Sequence, residues 1–328
     1  MLVILFIAGM WILSSLNLNY SEDTIGEVRQ KQIEETFFSN LNKIVQTQSA
    51  LEHDTNGLAR IGSLFADLFA SESNSQVLNA ELGMMLQDKL KDFEGTLAVG
   101  IWFDPEYVSL KGQPISRYVF RDKTNSIQVL TESSSRLLSI EQQQWFDLAG
   151  IAVKDKTKIE GNEIHWTPAY YNEITDSAVL TLIKPILNSQ LQVVGYASTD
   201  WEAKQIIDLV SQVSITPNTF ALLIDKNKRK LSSLSRLNNE RYAQKIIDSV
   251  MSQDFIKLAS NNAISQLKSQ QQKALLQTHQ FAVEDIEYVL YAATTPAQML
   301  FAVGVPKNEI DAVIAPMRVI NQRILIAT

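Results

Sequence analysis

Leu97-Ala98-Val99-Gly100-Ile101-Trp102-Phe103, closed by Asp104-Pro105, is the stretch at which this 328-residue chain changes its period. An unbroken run of apolar and small residues stopped by turn formers reads as a buried strand. Upstream of it the pattern is helical. From Ser21 to about Ser71 there is no proline, and Phe37, Leu41, Ile44, Leu51, Leu58, Phe65 and Phe69 recur at intervals of three and four. Gln48, Thr55 and Gly62 fill the missing steps of the same stripe, which packs on the body that follows or pairs partly with a second copy of the chain. A shorter helix over about Val77 to Phe93 returns to the body.

Downstream of the decisive strand, Tyr118-Val119-Phe120 and Ile127-Gln128-Val129-Leu130 are strands between turn residues, and Glu141 to Val153 reads as helix. Strands resume at Ala178 to Ile183 and Val193 to Ala197, and a helix follows at Glu202 to Val213. Strands, helix, strands is the order of an antiparallel α+β lobe. A weaker version repeats the pattern. Phe220 to Ile224 is a strand, about Asn239 to Ser269 is helical, and strands follow near Ala274 to Phe281, Ile286 to Ala293 and Met299 to Val305. A last helix starts at Pro306, and Pro316 inside it predicts a kink.

The two ends differ from the middle. Met1 to Leu16 carries no charge and approaches the roughly 20 residues that cross a bilayer. A cleaved signal peptide would begin with a basic region and end in a small-residue cleavage site, and an uncleaved anchor fits the missing features better. An N-terminal core helix is the third reading. Ile324-Leu325-Ile326-Ala327-Thr328 turns apolar, as the start of a second span or as the end of an ordinary helix. Two crossings would leave everything between them on one side, periplasmic or extracellular.

Composition narrows the function. With 29 Lys and Arg against 36 Asp and Glu the net charge is −7, and no basic face offers itself to phosphates, so nucleic acid is not an expected partner. The absence of cysteine excludes disulfides, thiolate metal sites and cysteine nucleophiles. His53, His165 and His279 are isolated, and no phosphate loop, dinucleotide fingerprint or nucleophile elbow is present. Neither catalysis by this segment nor a cofactor is expected.

The segment from Trp145-Phe146 through Trp166-Thr167-Pro168-Ala169-Tyr170-Tyr171, Thr181, Lys184-Pro185 and Gly195 to Asp200 resembles the distal-lobe pattern of the double Cache sensor domains of bacterial transmembrane receptors. Val99 to Pro105 resembles the first strand of the same lobe. The resemblance covers nearly the whole chain. It implies an anchor at 1–20, a stalk and return helix at 21–95, and a ligand-binding membrane-distal lobe at 96–215. A membrane-proximal PAS-like lobe at 216–305 and an exit helix at 306–328 follow. It further implies a homodimer, an inner-membrane location and an output module such as a histidine kinase, a diguanylate cyclase or a chemoreceptor signalling region.

The residue chemistry agrees with a pocket for a small, amine-bearing metabolite. Asp200 would accept hydrogen bonds from an ammonium, and Tyr170 offers a second oxygen. Trp145, with Phe146 or Trp166, would supply aromatic faces that favour a cation by about 0.5–2 kcal/mol, and Tyr118 on a nearby strand is counted among the ligand-binding residues. The competing readings are aromatic core for the rings and a helix cap near Trp201 for Asp200. The amino-acid-sensing form of the family has an arginine where this chain has Gln143, so the usual carboxylate clamp is missing. Arg117 or Arg121, beside Tyr118, would be its substitute unless each is a solvated strand-edge charge. The alternative from another class is a structural or protein-binding ectodomain with a vestigial pocket.

Overall fold

The computed structural model describes residues 2–71, 75–93, 95–110, 113–130, 143–148, 163–225, 245–246, 248–250 and 276–312. Most side chains before Thr24 also lie outside that description, and with them most of the anchor expected at 1–20. The same holds for most of the expected helix at 239–269, both flanks of the one at 141–153, and the exit helix beyond residue 312 with Pro316. Among the described residues, no helix is long and apolar enough to cross a membrane.

Helix α1 runs from Leu2 to Ser71 and α2 from Ser75 to Asp92. The chain then divides into two compact units. The larger one takes α1 from Ile44 onward and continues to Asp208, with Asp225–Leu231. Its strands are β1 (Thr96–Phe103), β4 (Ser116–Arg121), β5 (Ile127–Leu130), β6 (His165–Trp166), β7 (Tyr170–Asn172), β8 (Ser177–Leu187) and β9 (Val193–Glu202). They form an antiparallel sheet in the order β5-β4-β1-β9-β8-β6, with β7 also on β8. A small ribbon of β2 (Ser109–Leu110) and β3 (Gln113–Pro114) stands apart from it. The sheet is formed as an α+β lobe of the expected type, with β1 at its centre and entirely buried.

Because side chains alternate along a strand, the sheet has two unlike faces. Val99, Ile101 and Phe103 of β1, Val119 of β4 and Ala197 of β9 join Leu58 and Phe65 of α1 and Leu82, Leu86 and Leu90 of α2 in one apolar core. The opposite face carries Ala98 and Trp102, Tyr118, and Val179 and Ile183, clustered with Trp145 and Phe146 of the short helix α3 (Gln144–Leu148) and with Tyr170.

The steps at which the α1 stripe loses its apolar character are met by the sheet. The Thr55 hydroxyl hydrogen-bonds that of Thr199 at 2.9 Å, buried between helix and β9. A Cβ added at Gly62 would lie 2.5 Å from Cδ1 of Ile186, so glycine is what lets the helix approach β8. Thr55→Val should therefore cost about 1–3 kcal/mol by stranding the Thr199 hydroxyl, and adding Thr199→Val should restore most of it; urea denaturation of the two variants checks this.

The smaller unit combines Met1–Lys43, Leu209–Ile224 and Ser232–Thr328. Its sheet has the order β10-β13-β12-β11, from β10 (Phe220–Ile224), β11 (Gln277–Val283), β12 (Ile286–Thr294) and β13 (Leu300–Pro306). Phe37 of α1 stacks on Phe301 at a centroid distance of 5.2 Å, while Phe220, Tyr288 and Leu290 fill the other face with Ile246 and Val250. Helix α4 (Ala203–Ser211) follows β9 in the chain, and α5 (Lys307–Asp311) follows β13 directly.

Candidate functional site

Asp200 lies within β9, opposite Ala98 on β1 and Thr181 on β8. β9 continues to Glu202, so Asp200 is a strand residue and not the cap of the following helix. Its carboxylate faces the aromatic side of the sheet and is 2% exposed. Oδ1 accepts a hydrogen bond from the Thr181 hydroxyl at 2.6 Å, and Oδ2 accepts one from the Tyr118 hydroxyl at 2.5 Å and one from the Asn172 amide at 3.1 Å. Asn172 also donates to the Tyr118 oxygen at 3.0 Å, and the Tyr170 hydroxyl lies 2.6 Å from that of Thr181.

Each partner is set by register. Tyr118 is two residues from Phe120 on β4 and shares its face, and Thr181 sits directly across from Asp200. Asn172 ends β7 opposite Ser177, where a short strand lying on β8 carries it toward the carboxylate. All three donors are neutral, while burial opposes the ionised form. The Asp200 carboxyl is accordingly pushed up to about 6 by desolvation, held from rising further by the bonds from Thr181, Tyr118 and Asn172. Burial and the adjacent carboxylate raise the Tyr118 hydroxyl well above its ordinary value, and the Tyr170 hydroxyl follows for the same two reasons.

Aromatic rings surround this network. Trp102 lies 5.7 Å from Tyr118 and 5.8 Å from Trp145 between ring centroids, and Trp145 and Phe146 both meet Tyr196. The Trp102 indole N–H donates to the Ser198 hydroxyl at 2.8 Å. Gly100 makes room for that ring, because a Cβ there would come within 2.5 Å of the indole nitrogen.

Of the residues singled out from sequence, Tyr118 donates directly to Asp200, Tyr170 is joined to it through Thr181, and Trp145 and Phe146 share the cluster of the two tyrosines. Gln143 is buried just before α3, where its carbonyl accepts the Phe146 N–H at 3.0 Å. Trp166 and Arg121 fall elsewhere. Trp166 pairs with Leu182, one step out of phase with Thr181, so it turns to the helical face; there its indole donates to Glu52 at 2.9 Å and its ring meets Trp201. Arg121 alternates out of phase with Tyr118 and donates to the carbonyls of Leu90 at 2.6 Å and Thr96 at 3.2 Å. Arg117, on that same face, donates to the Asn79 carbonyl at 3.2 Å. Neither arginine replaces a carboxylate clamp beside Asp200, and neither is a free strand-edge charge; both hold α2. Asn172 and Ser198 escaped the sequence reading, and only the pairing of β7 on β8 and of β1 on β9 brings them in. Among the described residues, no group of three or more His, Asp or Glu side chains is placed to hold a metal ion.

A central antiparallel sheet with helices on one face and an enclosed carboxylate on the other is the architecture of the PAS-like sensor domains of the Cache, or PDC, class. The model of the first PDC sensor domain of methyl-accepting chemotaxis protein-like receptors matches residues 82–208, the span that holds every residue of the Asp200 network. Among solved structures, the sensory domain of the Campylobacter jejuni chemoreceptor Tlp3 (CcmL) with isoleucine bound is similar at a TM-score of 0.57 and 14% identity, covering 89% of this chain and 98% of that one. The extracellular domain of soHK1S-Z6, assigned as a histidine kinase, is similar at a TM-score of 0.52 and 16% identity, with 87% and 98% covered. At such identities the likeness is one of fold. No curated protein matches the chain.

Proposed function

We infer that this chain is the extracytoplasmic ligand-sensing region of a membrane signal-transduction receptor, and that Asp200 receives the ammonium group of a small metabolite. The observation that carries the reading is a buried carboxylate whose hydrogen-bond donors, Thr181, Tyr118 and Asn172, are all uncharged. Buried charges are ordinarily paired, and a carboxylate offers about four acceptor positions, of which these donors use three. An ammonium would take the remaining position on Oδ1 and supply the missing charge, with the rings of Trp145, Phe146 and Tyr118 as its aromatic surroundings.

The isoleucine held by the Tlp3 sensory domain and the extracellular placement of the soHK1S-Z6 domain agree with such a role. Anchoring through residues 1–20 and through the exit helix at 306–328, assembly as a homodimer in the inner membrane, and a kinase, cyclase or chemoreceptor output belong to the same reading. So does the description of the second unit as a membrane-proximal PAS-like lobe. Ligand would shift a two-state equilibrium by its differential affinity for the states.

A second reading, a structural or protein-binding ectodomain with a vestigial pocket, draws on the 2% exposure of Asp200 and on its capture by the chain's own side chains. A thermal-shift screen of the protein against a metabolite panel separates the two. Sensing requires an amine that stabilises the fold, by about 2.7 kcal/mol at a hundredfold excess over Kd, and that loses its effect in Asp200→Ala. Silence across primary, secondary and quaternary amines would leave the vestigial reading standing. Binding of a cation also requires the ionised carboxylate, so affinity should fall about tenfold per pH unit below pH 6. Isothermal titration between pH 5 and pH 8 reads that slope.

A further inference from the structure

The turn between β7 and β8 does not stay at the edge of its sheet. β4 and β8 are separated there by β1 and β9, which is three strand spacings, or about 14 Å. Even so, Asn172 at the foot of the turn donates to the Tyr118 oxygen of β4 at 3.0 Å, and Asp176 at its other end accepts a hydrogen bond from Lys123 in the β4–β5 turn. Residues 172–176 therefore lean across β9 toward β4 and close the site face above Asp200, whose Oδ2 takes the Asn172 amide at 3.1 Å. From this arch Ile174 packs against the aromatic cluster and Thr175 is buried, while Glu173 and Asp176 are exposed. A carboxylate that is 2% exposed is reached from outside only when something over it moves.

The two sides of this closure differ in firmness. On the β4–β5 side, the Asp122 carboxylate accepts from the Thr124 and Ser126 amides and from the Gln128 side chain, which braces the turn that carries Lys123. On the other side, β7 is three residues long and, among the described residues, pairs with β8 alone. So short a strand at a sheet edge opens more readily than the strands behind it. Toward β4 the arch is fastened by Asn172 beneath and by the Lys123–Asp176 ion pair at the surface, where the Tyr171 hydroxyl also donates to Asp176. Both members of that pair are exposed. An exposed pair is weak and screened by salt, which suits a fastening that is repeatedly undone.

We propose that residues 172–176 are the door to Asp200, hinged on β7 and latched by Lys123 and Asp176. As an entry for a solute the door rests on the reading of Asp200 given above, but its opening is a property of the chain and is measured without any ligand. The absence of cysteine makes that measurement clean. Ala98→Cys places the only thiol beside Asp200 on the site face, and Val119→Cys places one on the opposite face, under the helices. Each folded protein is treated with methyl methanethiosulfonate, a small neutral reagent that converts a thiolate to its methyl disulfide and releases methanesulfinate, and modification is followed by mass. The site-face thiol reacts slowly in the parent background. Asp176→Asn, which suits the φ of 53° at that position, and Lys123→Gln each speed it by about two- to fivefold, and the pair together by no more than Asp176→Asn alone. Raising NaCl to about 0.5 M speeds the parent background by a similar factor and leaves the latch variants unchanged. The Val119→Cys thiol answers to none of these changes. Ser198→Cys, buried on the site face, serves as the probe if Ala98→Cys does not fold. A site-face thiol that never reacts in the folded protein, or whose rate ignores both latch and salt, overturns the door. Equal acceleration on both faces overturns it too, because that is general loosening. A chain whose latch controls the thiol and which binds no amine refutes the reading of Asp200 and leaves the door standing.

Discussion

Asp200→Asn will make the protein more stable than the parent at pH 8, and the two will converge at about pH 4. The carboxyl sits at about 6 in the folded chain against an ordinary 3.8. A raised carboxyl means that the native state holds its proton more tightly than the unfolded chain does. Stability is therefore lost as pH rises between about 4 and 6, and above that window the ionised group costs about 3 kcal/mol relative to the protonated one. Asparagine removes the charge and keeps the shape. Its amide oxygen can accept from Tyr118 and Asn172 where Oδ2 does now, and its NH₂ can donate to the Thr181 oxygen, which is free to turn its own proton toward Tyr170. The gain at pH 8 should be about 2–3 kcal/mol, somewhat below the ionisation cost because neutral hydrogen bonds replace charge-assisted ones. Urea denaturation across pH 4–8 measures it; an asparagine variant less stable at pH 8, or a gap that persists at pH 4, would contradict the assignment of the burial cost to this carboxylate. A group retained against stability is what a binding role for Asp200 requires, and the same variant should be deaf to amines.

Trp102→Ala should cost about 3–5 kcal/mol, the largest loss expected from any single change to this unit. The ring is 1% exposed, lies between Tyr118 and Trp145, and is the donor to the Ser198 hydroxyl. Removing it empties the centre of the aromatic cluster and strands a buried hydroxyl. A coupled result follows from Gly100. Alanine there would press its Cβ to within 2.5 Å of the indole nitrogen and 2.6 Å of the Ser198 oxygen, so Gly100→Ala alone should cost about 1–3 kcal/mol. In the Trp102→Ala background the obstacle is gone and the serine hydroxyl can rotate, so the second substitution should be close to neutral. A double-mutant cycle by chemical denaturation reads the coupling directly, and additive losses would mean that the glycine answers to backbone geometry and not to the ring.

The parts of the fold that were legible were those with a period long enough to count. β1 announces itself as an uninterrupted apolar run because it is central and covered on both faces. α1 carries a stripe over many turns, and even its interruptions were visible; what they do was not, since Thr55 and Gly62 acquire meaning only against Thr199 and Ile186. β6 and β7 span two and three residues and were not foreseen as strands, because so short a piece has no alternation of its own and exists by pairing with β8. Those two strands decide the site. β6 turns Trp166 toward Glu52, and β7 delivers Asn172 to Asp200.

The amino-acid sequence alone determined the α+β class of the fold, the longer strands and helices of the lobe, and the chemical types gathered along it, because burial periodicity and turn chemistry are local properties of a chain. Which face each of those side chains occupies was decided by the tertiary structure. On a strand a single step of register exchanges core for site, and so Tyr118 reaches the carboxylate while Arg121, three residues on, holds the end of a helix.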